Sequence, residues 1–468
     1  MLNNKSNCFD NIPEIILGIA ISTYIIIFSH ITLLRHWAFY SAYFDLGCFE
    51  QGLWTTINGL FFWNSPHQLS QFGVHNSPII FILLPIYQIF PYSETLIILQ
   101  TILLASAAYP CFLIGKKIIN QWGGLTFGLI YLLYPALHGI NLFDFHELSF
   151  LPLILFCAIY YLIQYKFYHF ILLSLFALLI KEDVSILLIM ITIYSIIYKK
   201  YNTPNQKKIL ISLIFIYVIW LVASLTIIIP YFNPHGYLFT SRYLFDGGLS
   251  TLVFNNFGLK IIYLCLLIVP LGFTPLVAPE FLIISFPSFA EIVLQYDIAY
   301  RINAQYSALL IPIFFTSAIM GTKKIIDKLT KYDAKFVKYI FPVLMMFGIV
   351  SCIFCTPSPI SPFTLFYQFS ASNCEYIIDD HINILHEAID MIPQNASVST
   401  QNNLGGHLSK RAELYLDYLS GVEYILIDYK TSNFKWLGNK EISFPIDFYD
   451  EIFQKDGVVL YKIRQSSK

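Results

Sequence analysis

Three consecutive ionisable residues, Lys181, Glu182 and Asp183, interrupt an otherwise uncharged run between Phe167 and Tyr198. The run is long enough to cross a bilayer, whose apolar core needs about 20 helical residues. A charge near the centre of a span costs roughly 2.5–3.5 kcal/mol on insertion scales. Because successive helical residues point about 100° apart, the three side chains cannot all face one partner helix. This charged triplet therefore predicts two half-length apolar segments that meet at a wet, protein-lined cavity.

Further candidates for chemistry lie in residues 35–77, directly after the first apolar run. Asp45 and Glu50 are five residues apart, hence about 140° apart on a helix, so they are not a paired-carboxylate device if that segment is helical. One of them alone could act as a general base on a hydroxyl within hydrogen-bond reach. The structural alternative for Asp45 is the cap of the helix that it begins. His75 adds a titratable group in the same stretch.

Asp144, His146 and Glu147 form a third polar group, between two apolar runs. The spacing of Asp144 and Glu147 is that of a capping box, which would open the next helix. The same three side chains could instead bind the hydroxyls of a substrate, or a divalent cation. No second group of candidate ligands accompanies them, so the sequence does not require a metal.

The few basic side chains on the same side of the predicted spans are suited to a phosphate. Arg242, with Tyr243 beside it, and Arg301 lie in predicted loops, and Lys181 is expected to face the same side. A cation in a water-filled cavity binds phosphate and stabilises charge on a phosphate leaving group. The alternatives are snorkelling at the membrane interface, above all for Arg301, and pairing of Lys181 with its acidic neighbours. Tyr306 marks a further polar break.

The composition indicates that these residues belong to a membrane protein. Of the 468 residues, 57% are hydrophobic and 12% are charged, and the mean hydropathy is +0.63. Soluble domains carry about 25% charged residues, so the deficit indicates lipid as the solvent for much of the chain. The net charge of −1 leaves no basic excess for binding nucleic acid.

Apolar runs predict about eleven membrane-spanning helices. The predicted spans cover residues 13–34, 94–115, 121–138, 148–165, 167–180, 183–198, 208–230, 259–278, 279–295, 305–322 and 337–355. The apolar segment 78–90 is too short to cross alone, so it is expected at the interface or as a re-entrant segment.

Lysine residues set the expected orientation of these spans, because positive loops stay in the cytoplasm. If the spans alternate, the lysines near residues 116, 199, 207 and 323 fall on one side of the membrane. The loops 34–77, 139–147, 231–258 and 296–304 fall on the other side and hold few positive charges. The N-terminus is therefore expected in the cytoplasm, and the charged triplet should open outward.

The character of the chain changes near Cys355, where a proline-rich linker follows the last apolar run. Residues 1–355 are predicted to form the membrane domain, with residues 35–77 as a large first outer loop. Residues 356–468 are predicted to form a small α/β domain outside the cytoplasm. Within it we expect a helix at 381–391 and strands at 396–400, 424–428 and 458–463.

The combination of these motifs resembles a family of predicted bacterial and archaeal membrane proteins, a domain of unknown function related to the GT-C glycosyltransferases. The resemblance rests on Phe44-Asp45-Leu46-Gly47 with Gln51 and Trp54, on His75 to Pro78, on His146-Glu147, on the charged triplet, and on residues 270–280 and 397–411. It covers nearly the whole chain. Two positions depart from the family: Glu50 stands where aspartate is more frequent, and Gln305 stands where a histidine is expected before Tyr306.

The resemblance implies a polytopic, α-helical, GT-C-like enzyme of the plasma (inner) membrane that moves a sugar from a polyprenyl-phosphate carrier to an acceptor at the outer face. It implies that Asp45 deprotonates the acceptor hydroxyl, with Glu50 in support. Lys181 and Arg242 would face the phosphate, and the C-terminal domain would help to hold the acceptor. The other residues expected to contact substrate are His75, Asp144, His146, Glu147, Glu182, Asp183, Tyr243 and Tyr306.

Two other functions are compatible with the same residues. A transporter or lipid flippase would use the charged triplet as an ion relay or substrate gate, because buried charges at broken helices also mark transport sites. A non-catalytic scaffold for the cell envelope would use its outer domain for binding. The halves of the chain show no evident self-similarity of the kind common in transporters, which favours the enzyme. The sugar and the acceptor stay open.

Overall fold

The computed structural model describes residues 11–198, 203–239, 248–295, 298–361, 376–416, 421–430 and 446–464. Most of the described chain as far as Cys355 is helical, with one short antiparallel strand pair at residues 63–70, and the last long apolar helix ends at Cys355. A mixed sheet with an amphipathic helix follows this point. The change of character that the sequence predicts near Cys355 is therefore also a change from helix to sheet.

The helices are numbered in chain order. They are α1 (Ile12–Trp37), α2 (Cys48–Ile57), α3 (Leu83–Ile89), α4 (Ser93–Ser106), α5 (Ala108–Ile118), α6 (Gln121–Leu132), α7 (Pro135–Leu142), α8 (Leu151–Ile163), α9 (Phe167–Ala177), α10 (Val184–Ile197), α11 (Pro204–Ala223), α12 (Ile229–Phe232), α13 (Gly248–Phe254), α14 (Phe257–Ile268), α15 (Pro279–Leu282), α16 (Phe286–Val293), α17 (Ile311–Tyr332), α18 (Ile340–Cys355), α19 (Asp380–Asp390) and α20 (Asn402–Gly405). Short π or 3₁₀ segments join several of them, among them Tyr43–Gly47, Glu147–Phe150 and Gln305–Leu309.

Several of these helices are long and apolar enough to cross a membrane. By length and composition, four stretches of the described chain qualify: Ile12–Trp37, Ser93–Ile118, Pro204–Phe232 and Ala334–Cys355. The pair α6 and α7 would add a fifth span, bent by 43° where Pro135 opens α7. Other apolar helices have 10–17 residues, which is short for a full crossing. The predicted total of about eleven spans stays a prediction.

Helix α11 illustrates why these helices need lipid around them. Its side chains are apolar on all faces, and Phe215, Ile219 and Val222 are exposed. Soluble monomers rarely expose contiguous apolar surface of this kind. A capping box at Thr203 and Gln206 opens the helix, so its polar end is well defined although its flanks are apolar.

The helix predicted to break at the charged triplet does break there. α9 ends at Ala177 and α10 begins at Val184, with turns between them. The half-length segments are therefore confirmed. The triplet is less wet than the sequence suggests, because Lys181, Glu182 and Asp183 are only 5%, 2% and 6% exposed. The protein itself supplies most of their surroundings.

The strands are β1 (Trp63–Asn64), β2 (Leu69–Ser70), β3 (Val398–Ser399), β4 (Leu414–Tyr415), β5 (Tyr424–Asp428), β6 (Tyr449–Lys455) and β7 (Val458–Ile463). The last five form one sheet in the order β4-β3-β5-β7-β6. β3 pairs in parallel with β4 and β5, and β7 pairs antiparallel with β5 and β6. α19 packs on β5 and β7. The predicted helix and three predicted strands are confirmed, whereas β4 and β6 are additional.

This C-terminal sheet unit shares a hydrophobic core with the loop that follows α1. Phe39, Tyr43 and Cys48 are buried in one cluster with Leu404 and Leu460. Gly405 lies against Tyr43 so closely that a Cβ atom there would stand 3.0 Å from the Tyr43 Cβ. The loop and the sheet unit are therefore packed together as one body.

Gln51 of α2 adds a polar connection inside this interface. Its amide nitrogen donates to the Ser65 hydroxyl and to the Arg411 carbonyl, both at 2.8 Å. Its amide oxygen accepts from the Tyr43 hydroxyl and from the Ser65 N–H. An amide group can form four hydrogen bonds, so Gln51 is fully satisfied although it is completely buried. Removing it would leave partners on both sides unpaired.

Three histidines meet where the C-terminal end of α1 contacts the C-terminal unit. The rings of His36 and His407 are stacked with centroids 4.1 Å apart, and His386 lies edge-on to His407 at 5.6 Å. His407 Nε2 donates to the His36 carbonyl at 2.8 Å, and His386 Nε2 donates to the Trp37 carbonyl at 2.9 Å. Burial, together with the two neighbouring histidines, lowers the pKa of His407 well below its usual value. His407 is therefore neutral in the docked unit.

We expect acidification to loosen this docking. Because the pKa of His407 in the folded protein lies below the unfolded value of about 6.5, the docked state loses stability as the pH falls below that value. Hydrogen exchange of residues 402–416 in detergent micelles, corrected for the intrinsic rate, should accelerate between pH 7 and pH 5. The variant His407→Gln keeps a donor but cannot be protonated, so it should flatten this dependence. The exposed His235→Gln serves as the control, and an unchanged pH dependence in His407→Gln would contradict the assignment.

Candidate functional site

Asp45 lies in a π-helical segment, Tyr43–Gly47, that runs directly into α2. Short π segments place side chains outside the regular helical positions and are frequent at functional sites. The Asp45 side chain is 29% exposed, and its Oδ1 is 3.4 Å from His146 Nε2. The Tyr43–Gly47 segment begins after Ala42, so Asp45 is not the cap of this segment. The structure thus leaves the Asp45 carboxylate partly open.

His146 is held by one contact to its ring and one contact to its backbone. Its Nδ1 lies 3.0 Å from the Asp144 carbonyl oxygen, and its backbone N–H donates to Gln100 Oε1 at 3.0 Å. A carbonyl only accepts, so Nδ1 carries a proton and Nε2 meets Asp45 with either a lone pair or a second proton. Burial disfavours the imidazolium, but Asp45 and Glu147 outweigh it and raise the pKa of His146. The Asp45–His146 contact is therefore an ion pair in the protonated state.

Asp144 does not form the capping box with Glu147 that the spacing suggests. The 3₁₀ segment Glu147–Phe150 begins after His146, with no side-chain cap. The Asp144 carboxylate instead binds the Arg35 guanidinium and the Ala42 N–H, the latter at 2.7 Å. The capping-box interpretation is wrong, because partners about a hundred residues away take the carboxylate. Asp144 joins the end of α1 to the segment between α7 and α8.

Glu50 is separated from solvent, unlike Asp45. It is 1% exposed, and three hydroxyls donate to its carboxylate: Ser93 at 2.5 Å, Tyr87 at 3.1 Å and Ser409. Burial raises the pKa of Glu50, and the hydroxyls offset part of that effect. The donors come from α3, α4 and the C-terminal unit. Glu50 therefore connects three parts of the fold.

The charged triplet forms a second polar group with His75. Glu182 accepts from His75 Nδ1 at 2.7 Å and from the Asn76 N–H at 2.9 Å. Lys181 Nζ donates to Asp183 Oδ2 at 2.8 Å. The same ammonium lies 5.7 Å from the centre of the Tyr306 ring, within cation–π distance. The predicted pairing of Lys181 with an acidic neighbour is thus present.

Aromatic side chains flank this second group. Phe239 stacks on the His75 ring with centroids 4.9 Å apart. Arg242 and Tyr243, predicted to bind substrate, follow in the same loop but lie outside the described residues. Glu291 of α16 was not predicted. It lies within electrostatic range of Lys181, and its Oε2 is buried without a hydrogen-bond partner in the described part of the chain.

The two polar groups are connected through packed backbone segments. The 3₁₀ segment Glu147–Phe150 follows His146 directly, and it packs against the segment Gln305–Leu309, which contains Tyr306. The structure thus groups Asp45 with His146, and the charged triplet with His75 and Tyr306. Glu50 belongs to neither group.

A metal site formed by Asp144, His146 and Glu147 does not appear in the structure. Across the described ranges, no set of three or more histidine, cysteine, aspartate or glutamate side chains is arranged to hold a metal ion. The Asp144 carboxylate and the Nδ1 atom of His146 already have protein partners.

Sequence reasoning missed the residues that support the site. Arg35, Gln100 and Ser409 hold Asp144, His146 and Glu50 in place. Each partner is between 46 and 359 residues away in the chain, so no local spacing announces it. The available signal was weak: a lone arginine at the end of a predicted span, which also fits snorkelling.

The fold resembles that of a solved membrane protein. ArnT from Cupriavidus metallidurans, whose crystal structure contains undecaprenyl phosphate, aligns with a TM-score of 0.52 and 8% sequence identity. The alignment covers 94% of this chain and 98% of that chain. At this identity the similarity concerns the fold alone. The chain therefore has a fold similar to that of ArnT, in agreement with the GT-C-like fold predicted from the sequence.

The family follows from the sequence. The model of the family described as "Predicted membrane protein (DUF2079)" matches residues 35–460. The chain belongs to this family, and the resemblance predicted from its motifs is confirmed. Among curated proteins, none matches the chain.

Substitution of Glu50 should lower the stability of the folded protein, because Glu50 holds parts of the fold together and is not expected to contact substrate. Glu50→Leu leaves three buried hydroxyls without an acceptor, and each such loss costs about 1–3 kcal/mol. Glu50→Gln should cost less, because hydroxyls can reverse their direction and donate or accept. We expect the midpoint of thermal unfolding in detergent to fall in the order wild type, Glu50→Gln, Glu50→Leu. A Glu50→Gln protein of unchanged stability but without any activity would instead place Glu50 in the chemistry.

Proposed function

We propose that this protein is a membrane-embedded glycosyltransferase that moves a sugar from a polyprenyl-phosphate donor to a hydroxyl of an acceptor. The observation that supports it best is the Asp45 carboxylate, partly open to solvent and held beside an oriented histidine in a GT-C-like fold. The structural relative bound undecaprenyl phosphate, which is a carrier of the proposed class. An apolar carrier chain also explains why such a site belongs in a bilayer.

Asp45 is the proposed general base. A base must reach the hydroxyl whose proton it removes, and Asp45 has an accessible face, whereas Glu50 is buried among hydroxyls. We therefore assign Glu50 to holding α2 against the C-terminal unit and not to contact with substrate. This revises the supporting catalytic role that the resemblance implies for Glu50. His146 is the proposed positioning residue for Asp45.

The proposed reaction is a displacement at the anomeric carbon of the sugar. The acceptor hydroxyl gives its proton to Asp45 and its oxygen forms a bond to that carbon, while the bond from the carbon to the phosphate oxygen breaks. The polyprenyl phosphate leaves with the bonding electron pair, so negative charge grows on the phosphate. The proton then passes from Asp45 to solvent or to the phosphate. The donor and the acceptor supply all the atoms and electrons of this step, so no oxidant or reductant is needed.

The charged triplet, with His75 and Tyr306, is the proposed donor side of the site. Within the part of the chain that the structure describes, Lys181 supplies the positive charge of this group. Its ammonium already donates to Asp183. A phosphate would therefore share Lys181 with Asp183 or displace it, and Arg242 and Tyr243 of the adjoining loop remain proposed phosphate contacts. Asp144 acts in this proposal through Arg35 and Ala42, and not as a substrate ligand.

The proposed topology follows from the distribution of lysines. The N-terminus lies in the cytoplasm, about eleven spans cross the plasma (inner) membrane, and residues 356–468 form an extracytoplasmic α/β domain. The docking of the C-terminal unit on residues 36–65 supports its proposed place beside the acceptor. The identity of the sugar and of the acceptor stays open.

Loss of the Asp45 carboxylate should stop sugar transfer without unfolding the protein. Asp45→Asn keeps the size of the side chain but removes its basicity, so we expect a fall in kcat of about 10²–10⁴-fold. The measurement is consumption of radiolabelled polyprenyl-phosphate sugars by purified protein in detergent. Asp390→Asn, an exposed aspartate of the C-terminal unit, is the charge-matched control. Full activity of Asp45→Asn would remove Asp45 as the base.

Removal of the Lys181–Asp183 pair should weaken donor binding. Lys181→Met alone leaves Asp183 charged and buried, which costs about 3–5 kcal/mol of stability, so the pair is removed together as Lys181→Met with Asp183→Asn. We expect the double variant to fold, to raise the KM for the donor and to lose affinity for undecaprenyl phosphate. Unchanged donor affinity in a folded double variant would exclude this group from the donor site.

The broken helix at the charged triplet also suits a transporter or lipid flippase. Reconstituted proteoliposomes distinguish the two functions. The glycosyltransferase consumes donor and releases polyprenyl phosphate without moving solute across the bilayer. Counterflow or proton-coupled uptake, with no donor consumed, would replace the proposed function by transport.

A further inference from the structure

Several buried acceptor atoms near the candidate site lack a hydrogen-bond partner in the described ranges, among them Asp183 Oδ1 and Glu291 Oε2 beside Lys181. The Oε2 of Glu147 and the Oε1 of Gln305 have no hydrogen-bond partner in the ranges that the structure describes. The two residues are 2% and 9% exposed. A buried acceptor without a partner is costly, most of all when it is a carboxylate oxygen. Groups of this kind are therefore places where a bound molecule can supply the missing donor.

The two residues belong to one location in the fold. Glu147 is the first residue of the segment Glu147–Phe150, and Gln305 is the first residue of the segment Gln305–Leu309. These two segments pack against each other, although they are far apart in the chain. Both acceptors thus lie where the second outer loop meets the start of the α17 region.

Each acceptor is also the direct chain neighbour of one of the two polar groups. Glu147 follows His146, which contacts Asp45, and Gln305 precedes Tyr306, which lies under Lys181. In the proposed reaction the sugar is bonded to the phosphate and is attacked by the hydroxyl that Asp45 deprotonates. In that reaction the sugar is placed between the two groups, and the packed segments that begin at Glu147 and Gln305 are the described connection between them.

We propose that Glu147 and Gln305 form a subsite that binds hydroxyl groups of the transferred sugar. Both unpartnered atoms are acceptors, so their ligand must donate. A phosphate group only accepts at neutral pH and is repelled by a carboxylate, whereas a sugar hydroxyl donates. The proposal of this subsite rests on the proposed function. It adds to that function the residues that select the sugar.

The subsite makes the enzyme selective for donors that keep the recognised hydroxyl. A deoxy donor leaves a buried acceptor unpaired, and sites built to bind a hydroxyl reject the analogue that lacks it by up to about 10⁴–10⁵-fold. A subsite that also admits water will discriminate less. We expect kcat/KM for one monodeoxy donor to be at least about 100-fold lower than for the full donor.

The kinetic experiment compares matched donors with matched variants. The probes are undecaprenyl-phosphate glucose, galactose, mannose and N-acetylglucosamine, and the monodeoxy forms of the best of them. The variants are Gln305→Met, which keeps the volume but removes the acceptor, and Glu147→Gln, which keeps the shape but removes the charge. Gln295→Met is the control, because Gln295 is also a buried glutamine with an unpartnered Oε1 but lies outside the two segments.

We expect Gln305→Met to lower kcat/KM for the full donor by about 10–100-fold while leaving the rejected deoxy donor nearly unchanged, so that the selectivity collapses. Glu147→Gln should reduce the selectivity in the same direction. Gln295→Met should change all donors by one common factor. If Gln305→Met and Glu147→Gln also scale every donor equally, the two residues are structural and the subsite is overturned.

A binding measurement separates this failure from a failure of the proposed function. Intrinsic tryptophan fluorescence gives the affinities of undecaprenyl phosphate and of undecaprenyl-phosphate sugar for each variant. In the wild-type protein the sugar should tighten binding, and Gln305→Met should abolish that increment but retain affinity for undecaprenyl phosphate. A wild-type protein that consumes donor without any sugar increment or deoxy selectivity overturns the subsite alone. A wild-type protein that neither binds nor consumes any donor of the panel overturns both proposals.

Discussion

Asp144 organises the candidate site of this protein, because its carboxylate and its backbone act on two different segments. The carboxylate binds Arg35 at the end of α1 and the N–H of Ala42, the residue that precedes the π-helical segment of Asp45. The Asp144 carbonyl accepts from His146 Nδ1. A single residue therefore fixes both members of the Asp45–His146 contact. Precise placement of a base in this way reduces the reorganisation that a reaction must otherwise supply.

The C-terminal unit places a second constraint on the same region. The C-terminal unit buries Phe39, Tyr43 and Cys48 in its own core, and Gln51 is satisfied only when that unit is in place. Glu50 likewise depends on the Ser409 hydroxyl. Asp45 lies within this stretch, so its backbone is held from both sides. The open side chain of Asp45 stands out against neighbours that are committed to packing and hydrogen bonds.

The sequence predicted those parts of the fold whose free energy depends mainly on residues that are neighbours in the chain. Three adjacent charges in an apolar run are expensive in a single helix, and the helix does break between Ala177 and Val184. Strands β5 and β7 are apolar runs and were predicted. β6 was not, because as an edge strand it exposes Asp450, Glu451 and Lys455. β4 has only two residues, which is too short for a period to be recognised.

The candidate site was predictable as a set of residue types, but not as a set of contacts. The spacing of Asp144 and Glu147 matched a capping box, yet Arg35 and Ala42 take the Asp144 carboxylate. Asp45 and Glu50 looked alike as carboxylates in one loop. Burial and hydroxyl partners distinguish them, and these partners come from α3, α4 and the C-terminal unit. Tertiary partners of this kind leave no trace in local spacing.

The contact of Gln51 with Arg411 joins positions 360 residues apart in the chain. During synthesis the amide of Gln51 cannot bond to the Arg411 carbonyl until nearly the entire polypeptide has been translated. The surroundings of Asp45 are therefore completed late, after the helices between Gln51 and Arg411 have been made. A nascent or prematurely terminated chain would carry the Asp45 carboxylate without the C-terminal residues that enclose it. The order of synthesis therefore decides when the candidate site is complete.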